Sequence, residues 1–99
     1  MEPQTRRVAI VTGAAQGIGA AIAQRLAQDG LDVALFDLPT HETLLKESAS
    51  HIRAKYKTEA LCVVGDVSKE EDVQRLVDST VRELGGLDVV SHHGLRLLM

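Results

Sequence analysis

A single cysteine, Cys62, in 99 residues leaves no partner for an internal disulfide, so nothing covalent staples the chain. It stands inside the apolar run Ala60-Leu61-Cys62-Val63-Val64, the setting of a buried, inert thiol. No apolar stretch approaches the roughly 20 residues that a membrane-spanning helix needs. There is no basic tract either: 11 basic against 14 acidic residues give a net charge of −3, which argues against nucleic acid as a partner. The stretch Met1-Glu2-Pro3-Gln4-Thr5-Arg6-Arg7 has no apolar segment behind its charges and does not read as a secretory signal. Neither Cys62 nor any acidic cluster stands at metal-ligand spacing, and the adjacent His92 and His93 would point to opposite faces of a strand. That pair reads as surface or frayed tail. Repeats, low-complexity tracts and linkers are lacking as well. What these absences leave is one small globular domain, expected in the cytoplasm, with no membrane and no nucleic acid among its partners.

What is present is organised around Val8-Ala9-Ile10-Val11-Thr12-Gly13-Ala14-Ala15-Gln16-Gly17-Ile18-Gly19. Val8 to Val11 is a continuous apolar run with β-branched members, as in a strand covered on both faces. The turn after it lacks side chains at Gly13, Gly17 and Gly19, so main chain there can approach another group closely. A helix beginning near Ile18 aims free amides and its positive dipole end at the same place. Such a turn either closes a strand-to-helix corner with no ligand or forms an anion site, most often one for phosphate or pyrophosphate.

The rest of the chain repeats the same alternation. The first helix is expected from Ile18 to Asp29, with Ile18, Ile22 and Leu26 on its inner face, Ala21 and Ala23 allowing close approach, and Gly30 ending it. Val33 to Phe36 is a second buried strand, Pro39 stops it, and Thr40 is placed to cap a second helix over His41 to Lys57. Leu45, Ala49, Ile52 and Tyr56 form that helix's apolar face, opposite Glu42, Lys46, Glu47, Arg53 and Lys55. Ala60 to Val64 is the third strand, closed by Gly65-Asp66. Ser68-Lys69-Glu70-Glu71 has the form of a capping box before a third helix that turns Val73, Leu76, Val77, Val81 and Leu84 to one side. After Gly85-Gly86, Leu87-Asp88-Val89-Val90 starts a fourth strand. From Ser91 to Met99 the pattern breaks, leaving open an extended strand, one helical turn or a frayed end. Residues 1–90 are thus read as one half-domain and 91–99 as a divergent tail.

Strands alternating with helices in this way build a parallel sheet with helices on both faces. Right-handed crossovers give β-α-β-α-β-α-β with strand order 3-2-1-4, half of a doubly wound α/β nucleotide-binding fold. The glycine turn then lies at the carboxyl edge of the first strand, beside the point where strand order reverses. A ligand crevice belongs there.

Two acidic residues sharpen the ligand. Asp37 ends the second strand roughly 20–25 residues after Gly13, the distance at which a carboxylate meets an adenosine ribose. It would accept hydrogen bonds from both ribose hydroxyls and repel a 2′-phosphate. Gln16 is neutral and the turn holds no arginine or lysine, so NAD is favoured over NADP. The plainer role for Asp37 is a strand-end or turn carboxylate. Asp66 ends the third strand in the same crevice, facing an adenine amino group or capping the following helix, a role that Ser68 fills better.

The chain resembles the short-chain dehydrogenases/reductases. Thr12-Gly13-Ala14-Ala15-Gln16-Gly17-Ile18-Gly19 matches that family's T-G-x-x-x-G-hydrophobic-G signature, Asp66-Val67 its adenine-contacting Asp-Val pair, and Leu87-Asp88-Val89-Val90 the start of its fourth strand. The resemblance covers Arg7 to Val90. It implies a Rossmann fold and NAD(P)-dependent hydride transfer between alcohols and carbonyls. It also implies that Gly13, Gln16, Gly17, Ile18 and Gly19 line the pyrophosphate, Asp37 holds the ribose, and Asp66 with the Val67 amide meets adenine.

The chain also departs from the family's pattern. Where the family continues into Asn-Asn-Ala-Gly, this chain reads His92-His93-Gly94-Leu95. The family's catalytic serine and Tyr-x-x-x-Lys pair have no counterpart: Tyr56 is the one tyrosine, Ala60 stands four places on, and Tyr56 falls on a core face. A phenol must have its pKa, normally about 10, lowered by a neighbouring lysine to exchange a proton with substrate oxygen. The expectation is therefore a truncated, cofactor-binding part of an oxidoreductase, without a catalytic acid or base of its own and with its substrate unreadable. The alternative is a non-catalytic module that binds NAD or a partner, the latter through an exposed fourth strand.

Overall fold

The computed structural model describes residues 6–92. Four strands, β1 (Val8–Thr12), β2 (Asp32–Asp37), β3 (Ala60–Val64) and β4 (Val89–Ser91), alternate with three helices, α1 (Gly17–Gln28), α2 (Glu42–Tyr56) and α3 (Glu70–Leu84). The strands form one sheet in the order β3-β2-β1-β4, all parallel, as the alternation predicts. The registers run Val8↔Asp32 to Thr12↔Phe36, Val33↔Ala60 to Asp37↔Val64, and Ala9↔Val89 to Val11↔Ser91. All carboxyl ends therefore meet at one edge, with Thr12, Asp37 and Gly65 emerging side by side.

Alternation along the strands divides the core into two layers. Ala9, Val11, Val33 and Leu35 face α1 and α2, packing on Ala23, Ala27, Leu45, Ala49 and Ile52. Ile10, Ala34, Phe36 and Val63 face the other way, onto Leu76 of α3. Tyr56 packs against the first layer, consistent with its helical spacing. Cys62 is half-buried with its Sγ 3.6 Å from the Leu45 carbonyl, and burial pushes its thiol pKa up, as suits an unreactive group.

Several local expectations are corrected. The buried stripe of α1 is Gly19, Ala23 and Ala27, as expected for Ala23; Leu26 packs partly on the core, Ile22 is half-buried, but Ile18 is 72% exposed and Ala21 lies on the outer side. Small residues let the helix axis approach the sheet, and that contact outweighs the larger area of the isoleucines. Thr40 does not cap α2. A single 3₁₀ turn over Pro39–His41 precedes the helix, and His41 is its N-cap residue without a side-chain cap bond. The Ser68–Glu71 capping box does not form either: Lys69 is the N-cap of α3, and Ser68 is engaged by Asp66 instead. The face of α3 is only partly covered, with Leu76 buried while Val73 and Val81 remain 36% and 47% exposed. Gly30 and Gly85 close their helices in left-handed geometry, φ +95° and +88°. Among the described residues no helix is long and apolar enough to cross a membrane.

Candidate functional site

The site begins where β1 ends. After Thr12 the backbone enters the left-handed region at Gly13 (φ 63°) and again at Gly17 (φ 65°), where a side chain is strained. Gly19 is needed for a different reason. A Cβ there would collide with the Gly13 carbonyl oxygen and stand 2.7 Å from its carbon, so the start of α1 is seated directly on the turn. At Gly17 the space beyond the backbone is open, with nothing within 4 Å of a built Cβ. Two of the turn's amides are anchored to β2: Ala14 N–H donates to the Phe36 carbonyl (3.2 Å) and Ala15 N–H to Asp37 Oδ2 (2.9 Å).

The amino end of α1 carries no cap of its own. Gln16, the exposed N-cap residue, is extended and makes no side-chain cap bond, and the first turn holds no acidic side chain. The Ala20 amide is bonded back to the Gln16 carbonyl at 3.4 Å, whereas the amides of Gly17, Ile18 and Gly19 have no acceptor among the described residues. Uncapped amides, the positive helix end and the open approach at Gly17 make a cradle suited to an anionic oxygen. The pyrophosphate of a dinucleotide fits this donor set.

Asp37 lies beside that cradle. Its Oδ2 takes the Ala15 amide, and its Oδ1 takes the Leu38 amide at 2.8 Å and His41 Nδ1 at 2.9 Å. Burial pushes the carboxyl pKa up, but the hydrogen bonds from His41, Ala15 and Leu38 outweigh it, so the group is held below 3.8 and ionised. An ionised carboxylate only accepts, which makes His41 Nδ1 the donor of this bond. His41 carried no signal in the sequence, because its partner lies four positions back across an irregular turn.

Asp66 and Val67 follow β3 at the same edge. Asp66 Oδ1 accepts both the amide (2.9 Å) and the hydroxyl (2.7 Å) of Ser68, and these bonds hold the carboxyl below its ordinary range. The Asp66 amide donates to Asp72 Oδ2 at 2.9 Å. Asp66 is thus the former of this turn, the part assigned to Ser68 on sequence grounds. The Val67 side chain packs on the second core layer, and its amide has no acceptor among the described residues. Gly65 completes the edge: a Cβ there would stand 2.9 Å from Phe36 Cζ and 3.0 Å from Arg75 Nη2.

His92 is placed quite differently from the frayed end expected of it. It follows β4 directly, is half-buried, and its Nδ1 lies 2.7 Å from Thr12 Oγ1. Its Nε2 is buried without a hydrogen-bond partner among the described residues. The ring helps line an apolar cavity of about 160 Å³ with Ile10, Thr12, Val67, Leu76 and Val90. His93 lies outside the described residues. The signal for His92 was its place in β4, one step past Ser91, which pairs with Val11.

Four parallel strands in the order 3-2-1-4, with a glycine turn at the switch point and helices on both faces, define half of a doubly wound Rossmann sheet. The profile of the short chain dehydrogenase family matches residues 7–93, and the chain belongs to that family. The short-chain dehydrogenase/reductase eriH of Hericium erinaceus is 53% identical over 85 residues, which make up 84% of this chain and 33% of that protein. A short chain dehydrogenase/reductase from Burkholderia phymatum, solved in complex with NAD, superposes with a TM-score of 0.80 at 31% identity, covering 91% of this chain and 31% of that one. The L-sorbose reductase of Gluconobacter frateurii, solved with NADPH and L-sorbose, superposes with a TM-score of 0.79 at 32% identity, covering 87% of this chain and 32% of that one. The chain spans about one third of the length of the relatives it matches.

Proposed function

We propose that this chain holds NAD as the cofactor-binding part of a short-chain oxidoreductase that moves hydride between alcohols and carbonyls. The observation that carries the reading is the uncapped amino end of α1, where the amides of Gly17, Ile18 and Gly19 stand open and a side chain at Gly19 would collide with the turn. In this reading Gly13, Gln16, Gly17, Ile18 and Gly19 receive the pyrophosphate, Asp37 the adenosine ribose, and Asp66 with the Val67 amide the adenine. The exposed Ile18 side chain is then a wall of the crevice rather than core. Family neighbours solved with NAD and with NADPH support a nicotinamide dinucleotide. The ionised Asp37 favours the form without a 2′-phosphate. When bound, NAD supplies the hydride acceptor. This chain's own residues orient it by backbone donors and do not supply the proton.

The stretch 1–90 is proposed as the binding unit and residues 91–99 as a tail, of which the family profile still matches the part up to residue 93. No residue of the chain is assigned as catalytic acid or base, because Tyr56 packs in the core and has no lysine four places on. The chain acts in the cytoplasm. The test is thermal: NAD at 100 times its Kd should stabilise the fold by about 2.7 kcal/mol, and adenosine or nicotinamide alone by much less. A melting temperature indifferent to NAD contradicts the proposal.

A second reading rests on β4. It is a sheet edge of three residues in the described chain, and Val90 and Val73 expose apolar surface around the cavity beside it. An uncovered strand edge pairs readily with another chain. This reading has the chain associate through β4.

A further inference from the structure

We infer that His41 sets the choice between NAD and its 2′-phosphorylated form by occupying Asp37. The inference rests on the proposed ribose role of Asp37. A carboxylate offers about four lone-pair sites. In this chain three are taken, by the Ala15 amide on Oδ2 and by the Leu38 amide and His41 Nδ1 on Oδ1. One site is left. A ribose presents two hydroxyls, so Asp37 cannot receive both while it keeps all three partners.

The partners differ in how easily they leave. Ala15 and Leu38 bond through main chain: Ala15 sits in the glycine turn, and Leu38 adjoins Asp37 itself. His41 bonds through a side chain that retains 35% of its exposure, while the Asp37 side chain retains 10%. The imidazole is therefore the group that a ribose hydroxyl displaces. Full NAD binding costs the chain its His41–Asp37 contact, which weakens the preference that a bare aspartate would give.

The same ring acts in the opposite sense on a 2′-phosphate. Asp37 repels that group, but the His41 Nδ1–H, 2.9 Å from the carboxylate, is a side-chain donor that can turn from Asp37 to a phosphate oxygen reaching the ribose site. His41 thus lowers affinity for NAD and raises it for NADP. Both effects narrow the discrimination expected from Asp37, and both vanish with the side chain. Its backbone amide, bonded to the Leu38 carbonyl at 2.9 Å, keeps the 3₁₀ turn without the ring.

The experiment is calorimetric titration of the full chain and of His41→Ala with NAD and with NADP. Loss of one charge-assisted hydrogen bond to the carboxylate corresponds to about tenfold. His41→Ala should therefore raise the ratio of NAD to NADP affinity by about tenfold, with NAD tighter and NADP weaker. His41→Asn, a favourable N-cap residue, repeats the test if the alanine variant folds poorly. Gly17→Val is the control for the underlying site. An unchanged ratio in a chain whose NAD binding is abolished by Gly17→Val overturns the role of His41 and leaves the cofactor site standing. NAD binding that survives Gly17→Val, or is absent from the parent chain, overturns the site itself and this inference with it.

Discussion

Asp37 Oδ2 accepts the Ala15 amide at 2.9 Å, so the end of β2 holds the middle of the glycine turn. A residue read as a ligand group is therefore also part of the frame that shapes the site. Burial raises the Asp37 pKa, the bonds from His41, Ala15 and Leu38 lower it by more, and the net value lies below 3.8. The ionised form then stabilises the fold above that value, and its contribution fades as pH falls through the lowered folded value. Asp37→Asn should cost about 1.5–3 kcal/mol at neutral pH, the range for hydrogen bonds to a charged group. The denaturant midpoints of the two proteins should converge as pH falls below 3.8 and through the lowered folded value. A gap that stays constant over that range would show that the charge on Asp37 does not support the turn.

The glycines separate by mechanism. Gly19→Ala drives a Cβ into the Gly13 carbonyl and should destabilise by about 1–3 kcal/mol while displacing the turn. Gly17→Ala meets no atom within 4 Å and carries only the strain of a left-handed residue, about 1–2 kcal/mol. Urea unfolding distinguishes them when combined with NAD titration: Gly19→Ala should lose both stability and binding, whereas Gly17→Ala should keep most of its binding. Equal losses in both properties would contradict the seating of α1 on Gly13.

Thr12 and His92 join β1 to the end of β4 through a 2.7 Å contact. Thr12→Val should cost about 1–2 kcal/mol, since it leaves a half-buried imidazole nitrogen without that partner. A double-mutant cycle with His92→Ala should give a coupling energy of about 0.5–1.5 kcal/mol. Additive losses would show that the contact contributes nothing.

The strands and their order were legible because buried parallel strands are nearly continuous apolar runs, and Val8 to Val11, Val33 to Phe36 and Ala60 to Val64 have no competing period. The glycine turn was legible for the same reason: only glycine tolerates what that backbone does. Rules that rank residues by apolar size failed on α1, where the sheet takes Gly19, Ala23 and Ala27 and leaves Ile18 in the open. Motif rules failed at Ser68 because the Asp66 carboxylate competes for it and takes both its amide and its hydroxyl. His41 was invisible as a site residue, and His92 was read as tail, because each acts on a partner that only the fold brings near. One pairs across a turn and the other across 80 positions of sequence.

Association through β4 gives a separate expectation. Val90 is 40% exposed on the edge strand, and Val90→Lys places a charge where a second strand would pack. Sedimentation velocity at rising concentration should show the parent chain assembling and Val90→Lys remaining monomeric. Identical profiles would remove β4 from that role.

The central claim is that the turn between β1 and α1 is a dinucleotide cradle, and calorimetric titration of NAD into the full chain tests it most directly. The parent chain should give a saturable one-site isotherm, and a Gly17→Val variant whose circular dichroism shows it folded should give no heat of binding. A parent chain that takes up no NAD, or a folded Gly17→Val that binds it equally well, would contradict the account.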